Sequence, residues 1–232
     1  QRSVLGLFWS FLNPLVLTVI LYFLFKSRLN LDRDPGYFMY ILVGSVVWNY
    51  FVLSVEGSLS ILVRKSFLVR NVVFPKEILV FSQIGVYLIQ HLLELAVVMI
   101  FVLWSATGIS RHLLVLPVII LLEVCLITGI TFFLSCLCVY ARDIEHIWSV
   151  FGRMAFFMVP VFYKVSSLSD RFRWFVILNP MTQIIRFHRD ILLDHRWPNG
   201  LALLSVALFS VSVLTLGYQF FKRLEPSIVE KA

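Results

Sequence analysis

Charge is scarce in this chain. Only 14% of its 232 residues are Asp, Glu, Lys or Arg, whereas soluble globular domains carry roughly 25%. The residues that replace them are apolar: 60% are hydrophobic, 22 are phenylalanine, and the mean hydropathy is +0.91. That shortage excludes a soluble fold and points to an integral membrane protein. Cysteine is also scarce. Cys125, Cys136 and Cys138 fall in a single apolar run, and the last two face different sides of a helix. Neither a disulfide framework nor a thiolate metal centre follows, and all three read as packing residues.

Catalytic signatures are missing as well. The chain has no Gly-x-x-x-x-Gly-Lys-Ser/Thr loop, no His-Glu-x-x-His, no nucleophile elbow and no acidic pair at catalytic spacing. It is therefore not expected to act as an enzyme on its own, or to bind a cofactor or metal; any ATP used must be held by another chain. No soluble basic-aromatic groove is present either, so the net charge of +7 points to lipid headgroups or a protein partner, not nucleic acid. The chain opens at Gln1 almost directly into an apolar run, which reads as a truncated or processed start without a cleavable signal peptide.

A crossing of ~30 Å of hydrocarbon takes about 20 residues. On that rule the sequence predicts one all-α transmembrane domain over 1–232 with six spans, at about 4–25, 37–63, 78–107, 113–140, 147–163 and 201–221. The fifth is short, and the sixth is expected to stop at Lys222-Arg223. Between these two, residues 164–200 are too polar to span and too apolar for a free loop. The Asn179-Pro180 break divides them into two short helical pieces that fit a re-entrant or interfacial pair. Trp174 and Trp197 suit an interface belt. Six spans put both termini on one side, but the distribution of cations does not choose that side.

Most of the charge that exists is concentrated. Between the second and third spans lies an island in which Arg64, Lys65, Arg70 and Lys76 interleave with Phe67, Leu68, Val69, Val72, Val73 and Phe74, giving an apolar side and a basic side. It fits either an interfacial hairpin on anionic lipid or a docking element for another protein. Within the spans, His91 and Glu94 share a helical face, and Glu56 and Glu123 are isolated acids. They fit structural pairing or a proton relay. The first span carries a polar stripe of Ser10, Pro14, Thr18 and Tyr22 with Asn13 beside it; the fifth carries His146, Ser149, Arg153, Phe156 and Pro160, with Phe157 adjoining. Such faces pack on neighbouring helices or line a conduit.

Several segments taken together resemble the ABC-2 type polysaccharide-export permeases. These are Leu5-Gly6-Leu7-Phe8-Trp9-Ser10-Phe11-Leu12-Asn13-Pro14-Leu15, Val69-Arg70-Asn71-Val72-Val73-Phe74-Pro75-Lys76-Glu77-Ile78-Leu79 and Val139-Tyr140-Ala141-Arg142-Asp143-Ile144-Glu145-His146. Pro160-Val161-Phe162-Tyr163, Leu178-Asn179-Pro180-Met181 and Gly217-Tyr218-Gln219-Phe220-Phe221-Lys222-Arg223-Leu224-Glu225 complete the set, in order along nearly the whole chain. The resemblance implies a permease in the bacterial cytoplasmic membrane with cytoplasmic termini. Its partners would be a second copy of itself, two copies of a separate ATPase that hold ATP and Mg2+, and a lipid-linked glycan of O-antigen, capsule or teichoic-acid type. It implies that Arg64, Lys65, Phe67, Arg70, Asn71, Phe74, Pro75, Lys76 and Glu77 form a cytoplasmic coupling helix and its exit. Tyr140, Arg142, Asp143 and His146 would form a cytoplasmic gate for a lipid headgroup, and Ser10, Asn13, Thr18, Tyr22, Ser149, Arg153, Phe156 and Phe157 a translocation path. An amphipathic N-terminal helix that the family carries is not matched here. A permease for drugs or small lipids, and a proton-coupled carrier using Glu94, His91 and Glu123, are the competing readings.

Overall fold

The computed structural model of the chain describes residues 6–25, 36–104 and 110–231, with side chains over 12–25, 36–103 and 110–228. The described residues form helices and connecting turns. α1 (Gly6–Phe25) leads to α2 (Tyr37–Leu59), two short helices α3 (Ile61–Arg64) and α4 (Ser66–Asn71), and α5 (Glu77–Trp104). A 3-10 turn at Arg111–Val115 runs into α6 (Leu116–Tyr140), followed by α7 (Ile144–Met158), α8 (Asp170–Leu178), α9 (Pro180–Leu192) and α10 (Gly200–Lys231).

Among the described residues four helices are long and apolar enough to cross a membrane: Tyr37–Leu59, Glu77–Leu103, Arg111–Tyr140 and Gly200–Ile228. This is a multi-pass membrane protein. Where the first span is expected, α1 is helical, and its described apolar stretch, Leu12–Phe25, is shorter than these four. The fifth departs further. α7 has 15 residues, about 22 Å at 1.5 Å per residue, and the chain is non-helical from Val159 to Lys164. Pro160 accounts for the stop, since it disfavours helix at Val159 and cannot donate to the ladder. The sixth helix departs in the opposite sense, continuing past Lys222-Arg223 to Lys231. Those cations end the apolar run and not the helix, because Lys222 finds Glu77 at 2.8 Å and Glu225 at 3.0 Å.

α2 is the central element. It packs against α1, α5, α6, α7 and α9, and Ser45, Ser54 and Ser58 are buried along it. Small residues of this kind let helix backbones approach where no hydrophobic drive separates protein from lipid. The tightest crossing joins α6 to α10. A Cβ on Gly217 would collide with the backbone carbonyl of Gly129, and one on Gly129 would collide with the backbone at Val213. One turn below, Phe132 and Phe221 are both fully buried with ring centroids 5.0 Å apart.

The chain thus has two ends in space. At one, α5 begins beside the end of α10 through Glu77 and Lys222, α3 packs on α5 and α6, and α4 packs on α10. At the other, the start of α2 meets the break after α7 and the helix pair α8–α9. There the Tyr37 hydroxyl donates to the Phe162 carbonyl at 2.7 Å, and the Tyr40 hydroxyl to the Tyr163 carbonyl at 3.1 Å.

Candidate functional site

Most of the charged island stands clear of the helices. α3 and α4 are too short to segregate residue types onto two sides, so the separation expected from the sequence does not form. Val69 alone of α4 is buried, while Phe67, Leu68, Val72 and Val73 are exposed alongside Lys65, Arg70 and Asn71. Phe67 keeps 74% of its surface. The segment is held from beneath. The Asn71 side-chain amide donates to the Phe67 carbonyl at 2.9 Å, and Arg64 donates to the Gly57 carbonyl at the end of α2.

Lys76 and Glu77 behave differently from the rest of the set. Lys76 is buried, with Nζ donating to the Val72 carbonyl at 2.6 Å and lying 4.3 Å over the half-buried Phe74 ring. Its amide faces Glu225 Oε1 at 3.4 Å, and Glu77 is engaged by Lys222. These residues fasten the exit of the island to α10. Arg64 to Pro75 present the outer surface, apart from Val69 and the partly covered Ser66 and Phe74.

The charged turn after α6 lies at the same end. Arg142, Asp143 and His146 are exposed at the start of α7, Tyr140 is exposed at the end of α6, and Arg64 and Arg142 both act electrostatically on Cys138. The Asp143 carbonyl accepts from the Ile147 amide at 2.9 Å, opening α7 without a side-chain cap.

The residues expected on a path are distributed over α1 and α7, whose ends meet at Phe162, 4.8 Å from the Phe25 ring and 5.8 Å from that of Phe156. α1 packs on α2 and α5, and α7 packs on α2 and α6. On α1, Asn13 is exposed, Thr18 is buried with its hydroxyl donating to the Pro14 carbonyl at 2.7 Å, and Tyr22 stands 6.1 Å from the Tyr37 ring. The side chain of Ser10 lies outside the described residues. On α7, Arg153 is exposed and its Nε donates to the Ser149 carbonyl at 3.2 Å; Phe156 is half-buried and Phe157 exposed. Phe157 also lines a groove with Met158, Tyr163, Phe172 and Phe175 between the end of α7 and α8.

Two residues that the sequence reading passed over organise the far end, and both come from the buried face of α9. Arg189 is 3% exposed. Its guanidinium donates to the carbonyls of Pro160 (2.7 Å), Val161 (2.6 Å) and Tyr40 (2.9 and 3.1 Å), and lies 3.4 Å over the Tyr40 ring. Buried non-helical backbone needs internal partners for its polar groups, and Arg189 supplies them for the break after α7. Gly44 makes room, since a Cβ there would strike the guanidinium. His188 is fully buried, and its Nε2 lies 4.0 Å from Glu123 Oε2, which is also 3.9 Å from His91 Nε2. The available signal was that the apolar face of the 181–193 helix carries a histidine and an arginine next to each other. Glu94, by contrast, accepts from the Gln90 amide at 3.1 Å, and Glu56 is exposed.

Comparison with known proteins agrees with this architecture. The family described as "ABC-2 type transporter" matches residues 1–193. An O-antigen export system permease protein RfbA of Klebsiella pneumoniae is 25% identical over 232 residues, covering 99% of this chain and 88% of that protein. A protein of the same name from Myxococcus xanthus is 28% identical over 224 residues, covering 96% of this chain and 86% of its own length.

Proposed function

The chain belongs to the ABC-2 type transporter family, and from that premise we propose that it is the membrane subunit of an ATP-driven exporter of a lipid-linked polysaccharide. The observation that carries this reading is the surface from Arg64 to Val73. It joins exposed apolar groups to unshielded cations at the end where α2, α5, α6 and α10 converge. The sequence holds no ATP-binding loop of its own, so the energy enters through a separate chain. The relatives' names refer to O-antigen export, and the proposed cargo is of that class: an O-antigen, capsule or teichoic-acid type polymer on a lipid carrier.

In this reading two copies pair in the cytoplasmic membrane, each seating one ATPase subunit, with termini and island cytoplasmic. Phe67 and Val73 enter a cleft of the ATPase while Lys65 and Arg70 fix register at its rim. Because Lys76 and Glu77 tie the island to α10, movement of the docked ATPase passes to α10 and, across the Gly129–Gly217 contact, to α6. The path opens between copies, bordered by α1 and α7. Arg142 and His146 receive the carrier's diphosphate at the mouth, and the aromatic groove at Phe157 offers rings to the sugar chain.

The test is a joint change of Lys65→Glu, Arg70→Glu and Phe67→Ala in the complex purified with its ATPase. Export and substrate-stimulated ATP hydrolysis are expected to fall at least tenfold, with the chain still inserted and folded. Normal assembly and normal export in this variant would sink the docking surface. Transport that persists when the ATPase is blocked would favour a proton-coupled carrier instead.

A further inference from the structure

We propose that His91, Glu123 and His188 bind a divalent transition-metal ion of the zinc type, which clasps α9 to α5 and α6. The three ligand atoms lie within 4.8 Å of one another. His91 comes from α5, Glu123 from α6 and His188 from α9, and all three side chains are buried.

Hydrogen positions set the chemistry of this cluster. His188 Nδ1 lies 2.9 Å from the Ile184 carbonyl, and a carbonyl only accepts, so Nδ1 carries the proton. Neutral His188 therefore turns a bare lone pair at Nε2 toward Glu123, whose two oxygens are acceptors as well when the carboxyl is ionised, the form that a metal ion binds. Acceptor faces acceptor at 4.0 Å in a dry site. His91 Nε2 completes the triangle at 3.9 Å from the same oxygen. Neither separation is a hydrogen bond. Both carboxylate oxygens of Glu123, both ring nitrogens of His91 and Nε2 of His188 are buried without a partner. Leaving five such atoms unmet is costly, and one cation at the centre satisfies those that converge.

The donor set fits such an ion. Two imidazoles and one carboxylate suit zinc and its first-row neighbours. Zinc bonds of about 2.0–2.2 Å place tetrahedral ligands about 3.3 Å apart, so the two edges from Glu123 shorten by ~0.6 Å and the edge between the histidines by up to ~1.5 Å. The Ile184 carbonyl acts as the outer partner that fixes the His188 tautomer. His91 is held by stacking on Tyr50, with centroids 4.3 Å apart and planes 13° from parallel. Glu123 offsets half of the ion's charge.

The test measures metal and stability, not transport. The permease–ATPase complex is purified without a histidine tag, stripped with chelator, and reloaded with zinc. About one zinc per permease chain is expected to return, with an absorption-edge spectrum showing two imidazoles and one carboxylate oxygen. Melting temperature should drop on stripping and recover with zinc but not with magnesium. Glu123→Gln is the informative variant, since its amide can donate to His188 Nε2 and keep the fold while lowering zinc affinity at least tenfold. His146→Gln, at an exposed site elsewhere, should retain the metal. The proposal is overturned if wild type takes up less than about a tenth of an ion per chain, or if Glu123→Gln loads as well as wild type. It is equally overturned if stability follows pH and ignores zinc, which would assign a shared proton to the site.

Discussion

Arg189 shows how much one side chain can hold together. Its planar fork reaches three separate carbonyls, on α2 and on the break after α7, and no other natural cation has that geometry. Arg189→Lys keeps the charge and loses the fork, leaving at least one buried carbonyl without a donor. The expected cost is about 2–3 kcal/mol, read as a lower melting temperature in detergent, with Arg189→Leu worse. If Arg189→Lys melts like wild type, the break does not depend on this residue. In the sequence only its place on the apolar face of the 181–193 helix set Arg189 apart from the other cations of residues 164–200, because its importance arises from carbonyls 29 and 28 residues earlier in the chain, a distance set by tertiary packing and not by period. His188 was obscured for the same reason. His91 and Glu123 were visible as ionisable groups inside apolar runs, but their meeting needed the third helix.

Among the elements, the long apolar helices were the most legible, since length and hydropathy alone mark them. The Asn179-Pro180 division between α8 and α9 was equally readable, with Asn179 Oδ1 accepting from the Met181 amide at 2.9 Å as the cap of α9. Helix ends were less readable. α10 overruns its apolar stretch because Glu77, from another helix, meets Lys222, and α7 falls short because of Pro160. The island misled in a different way: alternation of cations and apolar residues suggested two sides, but segregation needs more turns than α3 and α4 possess. The close α6–α10 crossing was also unread, as isolated glycines carry no period. It yields a definite expectation. Gly217→Leu forces the helices apart and should destabilise the protein by about 1–3 kcal/mol, and Gly217→Ala should do so to a lesser degree. Equal melting temperatures for all three forms would show that α10 can slide away without loss.

At the scale of the whole molecule, the described residues leave apolar faces uncovered on several helices, α1 and α7 among them. Val16, Ile20 and Phe23 of α1 and Val150, Met154 and Phe157 of α7 are exposed, and the polar residues expected on a path lie beside them. In the proposed exporter these two faces border the path between copies. The break that Arg189 seals has one more consequence, and it concerns timing. The carbonyls of Pro160 and Val161 are made 29 and 28 residues before the guanidinium that receives them. During synthesis this stretch must enter, or wait beside, a bilayer that offers no donor of its own. Its burial is therefore an event that follows the emergence of α9. In a background without the three native cysteines, a Val161→Cys thiol should react with a water-soluble maleimide in chains cut short after Leu178 and resist it in the complete chain. Protection in the shortened chain would mean that the break seals unaided. If it does not, the last quarter of the sequence finishes a helix boundary laid down before it was made.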